Sequence, residues 1–146
     1  MSVYKLKTAI VTGGASGIGA QTVRLMYLQG MNVVIADLER SRGEAEELIS
    51  SLPDSRRVIF QPVDVCSWPD LRSVFDSTIK NFGSLEIVVA NAGIMETREF
   101  FDFDDIDLEG HLREPSEAHR VIDVNLKGVM NSKVFRLIAA SHKLIY

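Results

Sequence analysis

The stretch VTGGASGIGA, residues 11–20, decides how this chain folds. The run before it, KTAIVT at 7–12, is typical of a buried strand, and the apolar pattern after it, at 17–29, predicts a helix. Of the four glycines in this stretch, Gly13, Gly17 and Gly19 have the spacing G-x-x-x-G-x-G where the strand leads into the helix. Glycine lets the backbone turn sharply and approach a ligand closely, and the N–H groups at a helix start favour a pyrophosphate. A tight turn without a ligand is the alternative, but strand, glycines and helix together favour a phosphate-binding loop.

Composition limits the kind of protein this can be. At 146 residues, with 46% hydrophobic and 25% charged residues, the chain is expected to form one soluble domain spanning 1–146. A net charge of −4 argues against nucleic acid or an anionic membrane as a partner. The single cysteine, Cys66, allows no internal disulfide, and no stretch is typical of a signal peptide or membrane span. We therefore expect a cytoplasmic protein.

Strand and helix patterns alternate along the chain. Further strands are predicted at 32–36, 57–62 and 85–90, and further helices at 45–52, 67–82 and 118–140. Strands and helices that alternate with short connections are typical of parallel βαβ units. The sequence therefore predicts an α/β fold in which helices cover both faces of a parallel sheet.

Two aspartates follow predicted strands. Asp37 comes 18 residues after Gly19, where a carboxylate accepts hydrogen bonds from the ribose hydroxyls of an adenosine and repels a 2′-phosphate. This favours NAD, although Arg40 and Arg42 stand close enough to leave NADP open, and a solvated turn aspartate is the other interpretation. Asp64 follows the third strand, where it could meet the adenine amino group; alone it would be an ordinary turn residue.

An asparagine stands within the last predicted helix. Asn125 lies in DVNLKG between Ile122 and Val129, on the predicted apolar stripe of that helix. A buried amide whose groups stay unpaired costs about 1–3 kcal/mol, so we expect structure, water or a ligand to satisfy it. From the residues alone, a structural and a functional role are equally open.

Together these motifs resemble the short-chain dehydrogenase/reductase family. TGGASGIG matches its T-G-x-x-x-G-x-G cofactor loop, and DVNLKG places Asn125 on its catalytic asparagine. FGSLEIVVANAG, residues 82–93, matches its N-N-A-G element, with Glu86 where the family usually has aspartate and Ala90 in place of the first asparagine. The resemblance covers the chain from about residue 5 to residue 140. It extends to the NAD-using alcohol dehydrogenases and the hydroxyprostaglandin-dehydrogenase-like branch.

The resemblance implies a Rossmann-like fold, NAD as cofactor and hydride transfer between NAD and a small-molecule alcohol or carbonyl substrate. It implies that ten residues bind the cofactor: Gly13, Ser16, Gly17, Ile18, Gly19, Asp37, Asp64, Val65, Asn91 and Gly93. Asn125 would be catalytic, helping to hold a water-linked proton relay. Ser16 stands where NADP-preferring members often carry a basic residue, which agrees with Asp37.

The rest of the family's catalytic machinery is missing from this sequence. The family uses a serine and a Tyr-x-x-x-Lys pair, in which the tyrosine passes a proton and the lysine lowers the tyrosine pKa. The three tyrosines are Tyr4, Tyr27 and Tyr146, and none has a lysine four positions later. The implied sheet is also cut after about four strands, in the order 3-2-1-4, with the fourth strand as an apolar edge. We therefore expect weak NAD binding without turnover.

Two other functions stay open. The chain could be a non-catalytic NAD-binding or interaction module that forms a homo- or hetero-oligomer through its last helix and exposed strand, for example with a full-length relative. A module for a nucleotide sugar or another phosphate ligand could use the same glycine loop.

An acidic insertion, ETREFFDFDDIDLEGHLREPSE at 96–117, interrupts the alternation. The run from Asp105 to Ser116 begins like an EF-hand loop but has serine where the twelfth position needs glutamate. The histidines and Cys66 show no metal-ligand spacing, so we predict no metal site. We expect a solvated flap instead, whose aromatic side chains cover the substrate side or meet a partner: Phe100, Phe101 and Phe103.

Overall fold

The computed structural model describes residues 7–97 and 102–140. Within these ranges it has four strands: β1 (Thr8–Thr12), β2 (Asn32–Asp37), β3 (Val58–Pro62) and β4 (Ile87–Val89). The same ranges contain five α-helices: α1 (Gly17–Leu28), α2 (Arg42–Ser50), α3 (Trp68–Phe82), α4 (Ser116–Ile122) and α5 (Gly128–Ala140). A π turn at Asp123–Lys127 joins α4 to α5, and short 3₁₀ turns lie at Glu39–Ser41 and Ser55–Arg57. None of the described helices is long and apolar enough to cross a membrane.

The four strands run parallel in the order β3-β2-β1-β4. Val11 of β1 lies beside Ile35 of β2 and Val89 of β4. The carboxyl ends of the strands therefore meet along one edge of the sheet, and the glycine loop follows β1 at that edge. The predicted α/β class, the Rossmann-like sheet and its strand order are confirmed.

Side chains alternate along the two central strands and build an apolar layer on each face of the sheet. One layer joins strand residues to α1 and α2: Ala9, Val11, Val33 and Ile35 with Val23, Tyr27, Ala45 and Leu48. The other layer joins strand residues to α3: Ile10, Val34 and Ala36 with Leu71, Val74 and Phe75. Helices therefore cover both faces, as predicted.

Helix α3 begins and ends at the residues that the sequence predicts. The Ser67 hydroxyl accepts a hydrogen bond from the backbone N–H of Asp70 at 3.4 Å and donates to the Asp70 carboxylate at 2.8 Å. Gly83 ends the helix with a φ of 80°, the left-handed conformation that glycine adopts without strain. These two caps fix the loop between β3 and α3.

The fourth strand is shorter than predicted. It covers Ile87–Val89 rather than 85–90. The Glu86 carboxylate accepts a hydrogen bond from the backbone N–H of Thr8 at 2.6 Å, so this N–H is not available to lengthen the strand ladder.

The last helix is interrupted, whereas the sequence predicts one helix over 118–140. It begins at Ser116, directly after Pro115, and the π turn separates α4 from α5. Within the turn the N–H of Gly128 bonds to the carbonyl of Asp123, five residues back. An extra residue of this kind changes the apolar spacing too little for periodicity to detect it.

The described part of the acidic insertion is a small turn structure. Ile106 and Leu112 form an antiparallel bridge, and the N–H of Arg113 donates to the carbonyl of Asp105 at 2.9 Å. Phe103 is 76% exposed, so it does not pack over the substrate side within the described residues, and the alternative that it meets a partner stays a prediction. Phe100 and Phe101 lie outside the described residues.

Candidate functional site

A cleft of about 760 Å³ lies at the carboxyl edge of the sheet. All ten residues predicted to bind a cofactor line it: Gly13, Ser16, Gly17, Ile18, Gly19, Asp37, Asp64, Val65, Asn91 and Gly93. They come from the carboxyl ends of all four strands, namely the glycine loop and the start of α1 after β1, the last residue of β2, and the segments after β3 and β4. The parallel sheet brings them together because the carboxyl ends of its strands share one edge.

The glycine loop packs α1 directly against the end of β1. A Cβ atom on Gly19 would overlap the carbonyl oxygen of Gly13 and lie 2.7 Å from the amide nitrogen of Asn91. Ser16 precedes the helix in an extended conformation, and its hydroxyl caps none of the described N–H groups. The first turn of α1 carries no acidic residue. The start of α1 therefore presents its N–H groups to the cleft, which suits a pyrophosphate.

Asn91 ties β4 to this loop. Its side-chain nitrogen donates to the carbonyls of Thr12 at 3.0 Å and Gly13 at 3.1 Å. The Thr12 hydroxyl accepts from the backbone N–H groups of Asn91 and Ala92 at 3.0 and 3.1 Å. Because the side-chain nitrogen of Asn91 is bonded to the glycine loop, this side chain ties the floor of the cleft to that loop.

The Asp37 carboxylate stands between the ends of β1 and β2. One oxygen accepts from the N–H of Ala15 at 3.0 Å, and the other accepts from the N–H of Leu38 at 2.8 Å. These bonds hold the carboxylate at the cleft wall, where its remaining lone pairs can accept from hydroxyl groups.

The two arginines near Asp37 point in different directions. Arg42 forms two hydrogen bonds to Glu39, at 2.6 and 2.9 Å, and its guanidinium lies over the ring of Phe60 at 4.8 Å. The hydrogen bond to Glu39 raises the pKa of Arg42 and lowers the pKa of the Glu39 carboxyl. Arg40 instead lines the cleft, so it is the cation of this pair that a bound phosphate would meet.

The loop after β3 forms the adenine end of the predicted site. The N–H of Asp64 donates to the Asp70 carboxylate at 3.0 Å, and the Asp64 carboxylate accepts from the N–H of Cys66 at 2.9 Å. Burial raises the pKa of the Cys66 thiol, and the negative charge of Asp64 raises it further. The loop is therefore ordered by its own carboxylates, with a neutral thiol at neutral pH.

Asn125 is exposed, whereas the sequence predicts that it lies on a buried apolar stripe. Ile122, on the same predicted stripe, is 57% exposed, so this side of the helix does not face the core of the described chain. The Asn125 carbonyl oxygen accepts from the N–H of Ile94 at 2.8 Å, and its amide nitrogen donates to the carbonyl of Ile94 at 2.8 Å. The π turn is therefore bound to the segment after Gly93 by a reciprocal pair of bonds. A catalytic role for Asn125 stays a prediction.

Tyr27 is a structural residue. It is 4% exposed, its hydroxyl accepts from the N–H of Asp54 at 2.7 Å, and the Arg57 guanidinium lies 3.9 Å from its ring centre. These contacts occupy the phenol, and Tyr27 is not among the residues that line the cleft. Tyr4 and Tyr146 lie outside the described residues.

Sequence reasoning missed several residues at the cleft. Thr12 and Ile94 act through hydrogen bonds that hold the floor. Thr12 begins TGGASGIG and Ile94 follows NAG, and only these positions could have indicated them. Helix α4 and the π turn contribute a further wall: Ser116, His119, Arg120, Asp123 and Val124. That wall depends on where α4 begins, which the sequence pattern placed too late.

The acidic insertion brings three possible metal-ligand atoms together. Those of Asp107, Glu109 and His111 lie within 4.8 Å of one another. The Asp107 carboxylate accepts from the N–H groups of Glu109 and His111, at 2.8 and 2.9 Å. The hydrogen bond from the backbone N–H of His111 contributes most to lowering the pKa of the Asp107 carboxyl, and the bond from Glu109 adds to it. The turn itself accounts for the grouping, and the absence of a metal stays a prediction.

Comparison with known proteins agrees with this geometry. The profile of the short chain dehydrogenase family matches residues 7–139. The chain is 38% identical to (+)-borneol dehydrogenase 1 of Salvia officinalis, over 84% of this chain and 49% of that protein. Among solved structures, a glucose/ribitol-type short-chain dehydrogenase/reductase from Brucella melitensis aligns with a TM-score of 0.79 at 26% identity, over 93% of this chain and 53% of that one.

A second solved structure is a 3-ketoacyl-(acyl-carrier-protein) reductase from Brucella melitensis, complexed with NADH. It aligns with a TM-score of 0.75 at 27% identity, over 92% of this chain and 50% of that one. The chain spans about half the length of the curated relatives it matches. Residues 7–139, which the family profile matches, include the glycine loop and the residues that line the cleft.

Proposed function

The chain belongs to the short-chain dehydrogenase family, and from that premise we propose that it is the NAD-binding part of an oxidoreductase. The family binds nicotinamide cofactors on a Rossmann-like sheet. The observation that carries the proposal is the cleft, where all ten predicted cofactor residues meet. In the complete reaction a hydride would pass between NAD and an alcohol or carbonyl substrate.

The preference for NAD rests on Asp37. Its carboxylate is held at the cleft wall by the N–H groups of Ala15 and Leu38. A fixed negative charge at this point repels the 2′-phosphate of NADP and accepts hydrogen bonds from free ribose hydroxyls. Arg40 opposes this preference, while Arg42 is engaged with Glu39.

Calorimetry with NADH and NADPH tests the proposal. We expect the wild-type chain to bind NADH more tightly, and Asp37→Asn to narrow the difference about tenfold because one repulsive charge is removed. Asp76→Asn, on the exposed surface of α3, is the matched control and should leave both affinities unchanged. Tighter binding of NADPH by the wild type would show that the preference is assigned incorrectly. Binding of a nucleotide sugar without any dinucleotide would favour the other phosphate ligand.

We further propose that this chain binds the cofactor without turnover. The sequence contains no Tyr-x-x-x-Lys, and Tyr27 is buried with its hydroxyl bonded to Asp54. The proton transfer that accompanies hydride transfer therefore has no tyrosine with a lysine at the family's spacing in this sequence. Steady reduction of NAD by the purified chain with a secondary alcohol would contradict this proposal.

An interaction module is the second candidate, and one observation favours it. Four apolar side chains spaced four residues apart along α4, the π turn and α5 are between 43% and 59% exposed: Ile122, Leu126, Met130 and Val134. We call this set the helix stripe. A contiguous apolar surface of this kind marks a contact site, and a second copy of the chain or a longer relative would cover it. Sedimentation of the purified chain over a range of concentrations tests whether it self-associates.

A further inference from the structure

The helix that carries Asn125 also touches the adenine end of the cleft. We propose that Gly128 and Asn131 fix the adenine wall, and that the missing side chain at Gly128 sets how far Val65 reaches into the cleft. This inference rests on the proposed binding of a dinucleotide. It makes Gly128 and Asn131 positioning residues for that ligand.

The contact between α5 and Val65 leaves no space for a methyl group. A Cβ atom on Gly128 would lie 2.6 Å from the Cγ2 atom of Val65 and 3.1 Å from its Cβ atom. Carbon atoms in contact are normally separated by about 3.5–4.0 Å, so either the helix or Val65 would have to move. Gly43, in α2, has open space around the same position, so the crowding belongs to Gly128.

Val65 cannot move away freely. It is 7% exposed, and its carbonyl accepts a hydrogen bond from the Asn131 side chain at 3.2 Å. Valine is branched at Cβ and strongly prefers one or two rotamers, so turning its side chain is costly. The neighbouring Asp64 is also held, by its bond to Asp70 at 3.0 Å.

The helix is held as well. The Ser132 side chain is buried and donates to the carbonyl of Gly128 at 2.8 Å, while the N–H of Gly128 closes the π turn on Asp123. Three residues before Gly128, Asn125 is bonded to both backbone groups of Ile94. One segment of helix therefore holds the floor of the cleft at one end and its adenine wall at the other.

A methyl group at position 128 is therefore expected to displace Val65 into the space for adenine, or to lift α5 from the loop. Both movements weaken binding of the adenosine half of the ligand. We expect Gly128→Ala to raise the Kd of NADH about tenfold, the scale of an overpacked contact. The Kd of ADP-ribose, which lacks the nicotinamide, should rise by a similar factor.

Removing the clash from the other side should restore binding. Calorimetry with NADH and ADP-ribose is carried out on wild type, Gly128→Ala, Val65→Ala and the double variant. The double variant is expected to bind as tightly as Val65→Ala alone, because Val65→Ala frees the space that the new methyl group needs. Gly43→Ala adds the same methyl group to a helix in open space and should bind like wild type.

Several outcomes would overturn the inference. A folded Gly128→Ala variant that binds both ligands like wild type shows that the contact does not control the adenine wall. A double variant that binds no better than Gly128→Ala shows that the loss does not pass through Val65. If Gly128→Ala does not fold, a double variant that folds and binds like Val65→Ala supports the inference, and one that also fails to fold overturns it. A wild-type chain that binds no dinucleotide overturns the proposed function itself.

Discussion

At the scale of single residues, the glycine loop is held by contacts with no room for an added methyl group. A Cβ atom on Gly19 would overlap the carbonyl of Gly13. We expect Gly19→Ala to lower the free energy of unfolding by about 3 kcal/mol, since backbone on both sides must shift, and to abolish detectable NADH binding. Urea denaturation measures the first effect and calorimetry the second.

Gly43→Ala is the matched control for that substitution. Gly43 lies in α2 with open space around the new Cβ atom, so the variant should keep or slightly raise the stability, by up to about 1 kcal/mol. A Gly19→Ala variant as stable as Gly43→Ala would mean that α1 is not packed on β1 as described.

Cys66 lines the end of the cleft at which we propose that adenine binds. Burial and the charge of Asp64 raise the pKa of its thiol, so less thiolate is present at neutral pH than in a free cysteine. We expect alkylation by iodoacetamide at pH 7 to be slower than for a cysteine-containing peptide, and slower still with NADH present, because Cys66 lines the cleft. Mass spectrometry of the alkylated protein over time gives both rates.

Substitution of Asp64 separates the effect of burial on the Cys66 pKa from the effect of the neighbouring charge. Asp64→Asn removes the neighbouring charge and should speed alkylation by lowering the thiol pKa, whereas Asp76→Asn on the surface of α3 should not. A rate that NADH leaves unchanged would place the cofactor away from this loop.

The residues that could be predicted are those whose side chains mark the cleft directly. Gly13 follows β1, Gly19 lies in the first turn of α1 and Asp37 ends β2, and together these positions are typical of a dinucleotide-binding loop. Ile94 could not be predicted, because it acts through its backbone N–H and carbonyl, which every residue possesses. The exposure of Asn125 was missed because apolar spacing alone indicated a buried stripe.

At the scale of secondary-structure elements, one asparagine connects the π turn to the floor of the cleft. Asn125→Ala removes two hydrogen bonds to Ile94. At about 0.5–1.5 kcal/mol for each bond, we expect the free energy of unfolding to fall by about 2 kcal/mol. Faster amide hydrogen exchange after Gly93 should accompany this loss, since the segment would be released from the helix.

Asn81→Ala is the matched control for Asn125→Ala, because it makes the same change at an asparagine whose bonds stay within one helix. Asn81 is exposed on α3, and its amide donates to Ser77 in the same helix, so its removal should cost far less. Both variants gain the helix propensity of alanine, and the difference between them isolates the contact with Ile94. Equal stabilities would show that the bonds to Ile94 do not hold the loop.

Elements with strong caps were predicted well, and elements shaped by a single extra residue were not. Ser67, Asp70 and Gly83 define α3 locally, so its limits follow from nearby residues. The π turn depends on how α5 docks against Val65 and how Asn125 meets Ile94, which are contacts over more than thirty positions. Periodicity within one helix carries no information about such contacts.

At the scale of the whole molecule, alternating strands and helices predict a parallel sheet covered on both faces. The family resemblance, not the alternation itself, implies the order 3-2-1-4 that the structure has. The sequence therefore predicted the architecture and the edge where the cleft lies. The sequence did not predict how far the helix stripe is exposed, because the exposure of a helix face depends on which other elements pack against it.

The helix stripe should control association of the chain. Its four side chains are between 43% and 59% exposed along one helical segment, so its burial against a second copy would remove a continuous apolar surface from water. We expect the wild type to self-associate, and Leu126→Asp/Met130→Asp to shift sedimentation towards the monomer, because two charges would be desolvated at the contact. Leu25→Asp, at a side chain of equal exposure on α1, should leave association unchanged. A wild type that stays monomeric at all concentrations, or a Leu25→Asp variant that dissociates equally, would show that the helix stripe is not the contact.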